Sequence, residues 1–207
     1  MPHKSPTTAI YHITDLANLP AILAAGGLFS DAAIGALPHQ VLGYSHIKAR
    51  RLSEYRVPCC GNRFVGQFVP FYFCPRSPML FTVNKGSVPG RQAGCQRDIV
   101  HLVSNVQSGI NLGRDWAISD GNAGAGYTSF YGDLSGLEQL DWNAIRARDW
   151  RGVTHQKMAE FLIEHSVPWN LFTEIACYDQ RAFQMVSNLL MTAVYRPTVT
   201  IKPEWYY

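Results

Sequence analysis

Short β-forming runs, divided by glycine and proline, limit the fold of this sequence more than any other feature. The chain holds 17 glycines and 12 prolines among 207 residues, and these residue types interrupt helices and strands. Strands are predicted for residues 7–13, 68–73, 79–83, 99–103, 115–119, 173–178 and 198–201. Short helices are predicted for residues 19–23, 45–55, 143–149, 156–159 and 180–190, while residues 160–163 fit either a helix end or a strand start. Many short strands with few, short helices are typical of an α+β domain.

The size and composition fit one compact domain that spans residues 1–207. Apolar residues make up 47% of the chain and aromatic residues 12%, which is enough for a packed core and excludes a wholly disordered protein. No apolar run approaches the roughly 20 residues that a membrane helix needs. Residues 1–8 contain no apolar stretch, so no signal peptide is expected. We therefore expect a cytoplasmic protein with no membrane contact.

The five cysteines indicate neither a disulfide framework nor a zinc site. Their number is odd, two of them are adjacent and no C-x-x-C pair occurs; they are Cys59, Cys60, Cys74, Cys95 and Cys177. The histidines show no metal-ligand spacing either. We expect reduced thiols in a cytosol and no bound metal. A catalytic cysteine stays open, although no local pattern supports one.

Positive charge is concentrated in residues 32–97. This segment holds nine basic residues and one acidic residue, a net charge of +8, whereas the whole chain carries only +3. Arginine predominates, and its planar guanidinium binds phosphate through two hydrogen bonds and stacks on bases. Aromatic residues are interleaved with the charges: Tyr44, Tyr55, Phe64 and Phe68. The segment is a candidate nucleic-acid surface, and a solvated loop that happens to be basic is an equal alternative on charge alone.

Common cofactor and hydrolase motifs are absent from the sequence. It contains no G-x-x-x-x-G-K-[ST] phosphate loop, no H-E-x-x-H and no G-x-S-x-G. The glycine-rich run at 120–126 lacks the order of a dinucleotide-binding fingerprint. Polar groups instead stand among apolar neighbours at His12, Arg76 and Glu160. Each also has a plainer structural explanation, as a core histidine, a turn arginine and a surface carboxylate.

A series of segments along nearly the whole chain carries a family resemblance. The most specific is Val69-Pro-Phe-Tyr-Phe-Cys-Pro-Arg-Ser-Pro-Met-Leu80. The others are individually weaker but occur in the right order: Tyr11-His-Ile-Thr14, Asn18-Leu19 with Ile22-Leu23, Gly43-Tyr-Ser-His-Ile-Lys-Ala-Arg-Arg-Leu52, Ser119-Asp-Gly-Asn-Ala123, Leu140-Asp-Trp142 and Lys157-Met-Ala-Glu-Phe-Leu162. Together they resemble the DarT family of DNA ADP-ribosyltransferase toxins.

The resemblance implies a fold and an activity. The fold is that of an ADP-ribosyltransferase, an α+β domain with central, mostly antiparallel strands and short helices. The enzyme is an NAD-dependent glycosyl-type transferase that moves ADP-ribose from NAD⁺, its co-substrate, to a base in single-stranded DNA. Residues 43–56 look more like the thymine-modifying branch than the guanine-modifying branch of the family. The implied partners are single-stranded DNA and a macrodomain antitoxin, DarG.

The resemblance also assigns roles to individual residues. Arg51 and Glu160 match the two catalytic residues, although Arg50 beside Arg51 leaves a shift by one position open. NAD⁺ contacts are expected from His12, Thr14, Asn18, Tyr72, Met79 and Asn122. DNA contacts are expected from Tyr44, His46, Lys48, Arg50, Arg76 and Arg91, in a groove formed with the basic segment. Glu160 would stabilise the cationic sugar of the transition state, and Arg51 would hold the target base.

Two other classes of function stay open at this point. The same chemistry acting on RNA or protein is one, and a non-catalytic module that binds single strands is the other. The second is disfavoured because base stacking requires neither a lone carboxylate nor the segment Tyr11-His-Ile-Thr14.

Overall fold

An eight-stranded, mostly antiparallel sheet forms the centre of the protein. The structure is a computed structural model that describes residues 5–35 and 39–207. The strands in these residues are β1 (Ala9–Asp15), β2 (Gly27–Phe29), β3 (Arg56–Val57), β4 (Arg63–Phe64), β5 (Phe68–Tyr72), β6 (Ile99–Asn105), β7 (Trp116–Ser119), β8 (Phe130–Tyr131), β9 (Glu160–Glu164), β10 (Ser166–Pro168), β11 (Glu174–Cys177) and β12 (Thr198–Ile201). The α+β class expected from the sequence is confirmed.

The order of the strands places distant parts of the chain side by side. The main sheet runs β12-β11-β6-β1-β5-β9-β7-β8, and only the β11–β12 pair is parallel. Outside it, β2 pairs with β10 and β3 pairs with β4. In the middle of the sheet Tyr11 lies opposite Tyr72, and Tyr72 lies opposite Glu160. The ends of β1, β5 and β9 therefore meet.

The helices of the described residues are short, as predicted. They are α1 (Leu19–Ala24), α2 (Ser45–Ser53), α3 (Pro78–Asn84), α4 (Val106–Ile110), α5 (Gly136–Gln139), α6 (Trp142–Arg146), α7 (Thr154–Lys157) and α8 (Gln180–Leu190). Helix α8 has the predicted bounds because Asp179 caps it, its side chain accepting a hydrogen bond from the Ala182 amide. Single turns of 3-10 helix connect several elements.

The strand predicted for residues 79–83 is wrong, because this segment lies in helix α3. Ser77 is the N-cap, and its side chain accepts a hydrogen bond from the Leu80 amide. Pro78 occupies the start of the helix, where its missing amide hydrogen is not needed. This Ser-Pro start outweighs the β-propensity of Phe81 and Val83.

The core lies on both faces of the central strands. Six of the seven residues of β6 are buried, and the first four of β9 are buried as well. Residues 160–163, which fitted either structure, thus form a strand whose apolar side chains fill the middle of the sheet. Glu160 is the polar exception at the start of that strand, with 1% of its surface exposed.

Three further observations concern membranes, thiols and metals. Within residues 5–35 and 39–207, no helix has the length and apolar character needed to cross a bilayer. All five cysteines are free thiols. Across the same ranges, no three His, Cys, Asp or Glu side chains are grouped to hold a metal ion. Residues 1–4 of the N-terminal segment considered for a signal peptide lie outside the described residues.

Candidate active site

A cleft of about 230 Å³ opens between the middle of the sheet and the segment that leads into α2. β1 and β5 contribute one wall, α1 and β2 a second, and residues 39–51 a third. Eight of the residues assigned from the sequence line it: His12, Thr14, Asn18, Tyr44, Lys48, Arg51, Tyr72 and Met79. The fold therefore brings together residues that are spread over the first 79 positions.

Arg51 and Glu160 form a two-point ion pair at the end of this cleft. Arg51 Nη1 lies 3.2 Å from Glu160 Oε1, and Arg51 Nη2 lies 2.8 Å from Glu160 Oε2. The side chains are 13% and 1% exposed, respectively. The two residues are 109 positions apart in sequence, so only the folded chain joins them.

The backbone around Glu160 fixes its carboxylate. The Ala123 amide donates a hydrogen bond to Glu160 Oε1 at 3.0 Å. The Glu160 amide donates to Ser119 Oγ at 3.0 Å, and that hydroxyl donates to the Gly121 carbonyl at 2.7 Å. Because every partner is held in the sheet or in the loop after β7, the carboxylate is oriented before any substrate arrives.

The glycine-rich loop at 120–126 has a structural role in this arrangement. Asn122 Oδ1 accepts a hydrogen bond from the Gly124 amide at 2.9 Å, which closes the turn that presents the Ala123 amide. A Cβ at Gly121 would lie 2.1 Å from His155 Nε2, so a larger residue there would require the His155 ring to move. Asn122 is absent from the residues that line the cleft.

The surroundings of Arg51 and Tyr72 determine the protonation states of these two side chains. Burial opposes the charge on Arg51, but the adjacent Glu160 carboxylate outweighs burial, so the pKa of Arg51 is raised. Burial, reinforced by the charge of Glu160, raises the pKa of the Tyr72 hydroxyl. Arg51 is therefore a permanent cation at the end of the cleft, and Tyr72 keeps its proton and can donate a hydrogen bond.

His12 presents a defined nitrogen to the cleft. Burial lowers the pKa of His12, although its hydrogen bond to the Pro70 carbonyl opposes the shift. A carbonyl only accepts, so the contact of 2.8 Å between His12 Nδ1 and Pro70 O places the proton of the neutral ring on Nδ1. Nε2 is then an acceptor for a donor in the cleft.

Asn18 is engaged by the protein itself. Its Nδ2 donates to the Gln40 carbonyl at 2.9 Å and to Thr14 Oγ1 at 3.2 Å, while its Oδ1 accepts from the Gln40 amide at 2.6 Å. The amide side chain thus pairs with the backbone of residue 40 as a neighbouring strand would. It attaches the third wall of the cleft to the end of β1.

A comparison with protein families shows to which family the chain with this cleft belongs. The family model described as "DarT: ssDNA thymidine ADP-ribosyltransferase, DarT" matches residues 11–207. The chain belongs to the DarT family.

Individual relatives agree with this result. A DNA ADP-ribosyl transferase of Thermus sp. (strain 2.9) is 38% identical over 206 residues, which cover 97% of this chain and 96% of the relative. The structure of Thermus sp. 2.9 DarT in complex with ADP-ribosylated ssDNA has a TM-score of 0.91 at 36% identity and covers 98% of each chain. The same DarT in complex with NAD⁺ has a TM-score of 0.86 at 33% identity, covering 98% of this chain and 99% of that one.

Helix α2 carries three of the six residues that the resemblance to DarT assigns to DNA: His46, Lys48 and Arg50. None of its residues is buried. Arg50 is exposed, pairs with Glu54 at 2.7 Å and lies 4.8 Å from the centre of the Tyr55 ring. Lys48 pairs with Asp31 at 2.8 Å inside the cleft. The helix therefore turns one basic face to solvent and one to the cleft.

Two further assigned residues, Tyr44 and Arg91, lie around this helix. Tyr44 precedes α2, donates to the Ser87 carbonyl at 2.9 Å and packs its ring 5.4 Å from that of His46. Arg91 forms an ion pair with Asp15 and donates to the Val41 carbonyl at 3.2 Å. Its guanidinium thus holds the 39–44 segment and has its charge balanced by Asp15.

Arg76 does not join this surface, which corrects the predicted groove. Tyr72 lines the cleft, but Phe73 and Arg76 line a second cavity. On β1, His12 lines the cleft and Tyr11 lines the second cavity. The turn after β5 therefore carries Arg76 away from the cleft and into the lining of the second cavity.

The sequence did not single out four residues that build the site. Ser119 and Ala123 hold Glu160, Gln40 meets Asn18, and Asp31 pairs with Lys48. The segment Ser119-Asp-Gly-Asn-Ala123 belonged to the DarT resemblance and was a usable signal. The contacts of Asp31 and Gln40 had no sequence signal, because they depend on tertiary packing.

Proposed function

We propose that this protein transfers ADP-ribose from NAD⁺ to a thymine base in single-stranded DNA. The observation that carries the proposal is the two-point Arg51–Glu160 pair at the end of a cleft, in a chain of the DarT family. The match over residues 11–207 supports the further proposal that the whole chain is one such domain. Arg50 is exposed and makes no contact with Glu160 among the described residues, which favours Arg51 as the catalytic arginine.

The proposed reaction breaks one bond and forms one. The bond between the ribose C1 atom and the nicotinamide nitrogen breaks, and nicotinamide leaves with the electron pair. The Glu160 carboxylate would stabilise the positive charge that develops on the sugar. The thymine N3 atom forms the new bond to C1, its proton passes to the Glu160 carboxylate, and the Arg51 guanidinium stabilises the base as that proton leaves.

The cleft residues support a proposed position for NAD⁺. His12 Nε2, the Thr14 hydroxyl and the Tyr72 ring would contact the nicotinamide riboside, with Met79 as an adaptable apolar wall. Asn18 would act through Gln40, since its amide is already bonded there. Asn122 would act by shaping the loop that holds Glu160.

His12→Ala is expected to weaken NAD⁺ binding about tenfold while the fold persists. The substitution removes a preoriented acceptor, and a hydrogen bond in a partly buried site contributes about 1 kcal/mol or somewhat more to binding. Isothermal titration calorimetry with NAD⁺ measures the effect. His165→Asn is the control, because His165 is exposed and absent from the residues lining the cleft. An unchanged affinity in His12→Ala would contradict the proposed position of NAD⁺.

DNA binding is expected to weaken with salt through the basic face of α2. The logarithm of affinity should fall with the logarithm of salt concentration by about 0.7 per phosphate contact on a single strand. Arg50→Gln should therefore reduce the slope by about that amount in fluorescence anisotropy titrations with labelled single-stranded DNA. Arg181→Gln removes an exposed arginine of α8 that pairs with Asp98 and should leave the slope unchanged. A slope near zero in the unmodified protein would rule out this surface.

The decisive experiment uses labelled NAD⁺ with separate acceptors. We expect label on single-stranded DNA that contains thymine, and none on thymine-free DNA, RNA or protein. Label on guanine would keep the chemistry and change the base, whereas label on RNA or protein would change the acceptor class. Binding to DNA without any label would favour the non-catalytic module.

The cellular setting is also part of the proposal. The five free thiols suit a reducing compartment, so we place the protein in the cytoplasm, where NAD⁺ and replicating DNA are available. Modification of DNA bases is harmful to the cell that contains the enzyme. Membership of the DarT toxin family therefore supports a macrodomain antitoxin of the DarG type as its partner.

A further inference from the structure

A second cavity of about 430 Å³ lies apart from the cleft. The start of β1, the turn after β5, and helix α6 with the two residues that follow it form its walls. None of the residues that line it also lines the cleft. The cavity is therefore separate from the Arg51–Glu160 site.

Positive charge surrounds this cavity. Four cationic side chains line it against one carboxylate: Arg76, Arg146, Arg148 and Lys157 against Glu204. Lys157 is 2% exposed, and its Nζ donates to the carbonyls of Ile145 and Ala147 at 2.9 and 2.8 Å. These two hydrogen bonds fix the backbone segment that carries Arg146 and Arg148, so the positions of these two charged residues are held by the protein itself.

The Arg76 guanidinium stacks on an aromatic ring but has no hydrogen-bond acceptor in the part of the chain that the structure describes. Its Nε is fully buried and has no hydrogen-bond acceptor among residues 5–35 and 39–207, and no carboxylate in those ranges forms an ion pair with it. The face of the guanidinium lies 4.5 Å from the centre of the Tyr207 ring, and Tyr207 Oη donates to the Arg76 carbonyl at 3.0 Å. The group is thus fixed, while its hydrogen-bonding edge is unsatisfied. A buried donor in this state is stabilised by an anion.

Aromatic side chains complete the cavity. Tyr11, Trp142 and Tyr207 line it beside the cationic residues. The Trp142 ring is held by a hydrogen bond from Nε1 to the Leu137 carbonyl at 2.9 Å and by the Phe73 ring at 5.6 Å. Rigid rings beside arginines are the combination that binds a base and its phosphate.

We propose that this cavity binds a nucleoside phosphate, with the phosphate at Arg76 and the base against the aromatic wall. The nucleotide is either free or part of a DNA strand that extends around the protein. The proposal concerns a site that the proposed transfer reaction does not use, so the two can fail independently.

The test measures binding of thymidine 5′-monophosphate, thymidine and a short single-stranded thymidine oligonucleotide to the full chain by calorimetry. Arg76→Gln should weaken binding of the nucleotide at least about tenfold, because a charged hydrogen bond to phosphate is lost. Thymidine, which lacks the phosphate, should bind weakly to both proteins. Arg76→Lys should retain part of the affinity, because it keeps the charge and loses the planar stack on Tyr207.

Two controls separate this cavity from the cleft. Arg181→Gln removes a surface arginine elsewhere and should leave nucleotide binding unchanged. His12→Ala alters the cleft and should also leave nucleotide binding to the second cavity unchanged. A tenfold loss for the mononucleotide assigns the site to a free nucleotide, and a loss seen only for the oligonucleotide assigns it to a nucleotide within a strand. Equal affinities of Arg76→Gln and the unmodified protein for both probes would overturn the proposal.

Discussion

Glu160→Gln is expected to slow ADP-ribose transfer by about a hundred- to a thousand-fold, equivalent to about 3–4 kcal/mol of transition-state stabilisation. The amide keeps the shape of the carboxylate but loses the charge that faces the sugar. The amide also has an NH₂ group in place of one acceptor oxygen. Both oxygens of Glu160 accept hydrogen bonds, from Arg51 and from the Ala123 amide, so the substitution removes an acceptor that the structure uses. Single-turnover transfer of labelled ADP-ribose to single-stranded DNA measures the loss.

Glu164→Gln is the matched control for this experiment. Glu164 ends the same strand, and its carboxylate also pairs with an arginine, Arg63 at 3.2 Å. It is absent from the residues that line the cleft, so its substitution should leave the transfer rate unchanged. NAD⁺ affinity should persist in Glu160→Gln, which shows that the fold and the cleft are intact. A rate equal to that of the unmodified protein would exclude the proposed role of Glu160.

Arg51→Ala is expected to lower transfer to DNA by at least about a hundredfold while slow release of nicotinamide from NAD⁺ continues. In the proposed mechanism Arg51 acts on the accepting base and not on the leaving group, so only the second half of the reaction would depend on it. The two activities are read from one reaction mixture, as labelled DNA and as free nicotinamide. Equal losses of both activities would contradict the division of roles between Arg51 and Glu160.

The structure adds a stability effect to this prediction. Removing Arg51 leaves the Glu160 carboxylate, which is 1% exposed, without its cationic partner. Breaking a buried pair in this way costs about 3–5 kcal/mol of folding stability, so thermal unfolding must be measured beside activity. Arg51→Lys keeps the charge but cannot bridge both carboxylate oxygens, and it should lose transfer while unfolding at a temperature closer to that of the unmodified protein. Arg50→Ala, the neighbour outside the cleft, should affect DNA binding alone.

Local patterns predicted those elements whose ends carry their own signals. The bounds of α8 follow from Asp179 at its start and an amphipathic run after it, and β12 was likewise predicted with its observed bounds. The segment 79–83 shows the opposite case. Its apolar β-forming residues favour a strand, but the Ser77 cap and Pro78 just before them start a helix. Residues 160–163 could not be decided locally, because their strand exists only between β5 and β7.

The site was predictable in its residues more than in its geometry. The resemblance to DarT pointed to His12, Arg51 and Glu160, and these lie in or at the end of one cleft. It could not show that Asn18 is occupied by the backbone of residue 40, because that contact joins two loops. It placed Arg76 with the other arginines, because charge along the chain does not reveal which cavity a turn lines.

The separation of Arg51 and Glu160 along the chain governs when the protein becomes active. The arginine lies on α2 near the first quarter of the sequence, while the carboxylate enters the sheet between β5 and β7 with a later strand. A chain emerging from the ribosome therefore carries the residues that line the cleft well before it carries Glu160, and any fragment that stops short of β9 has no Arg51–Glu160 pair. On the proposed mechanism, a nascent chain that has not yet reached β9 would therefore be unable to transfer ADP-ribose.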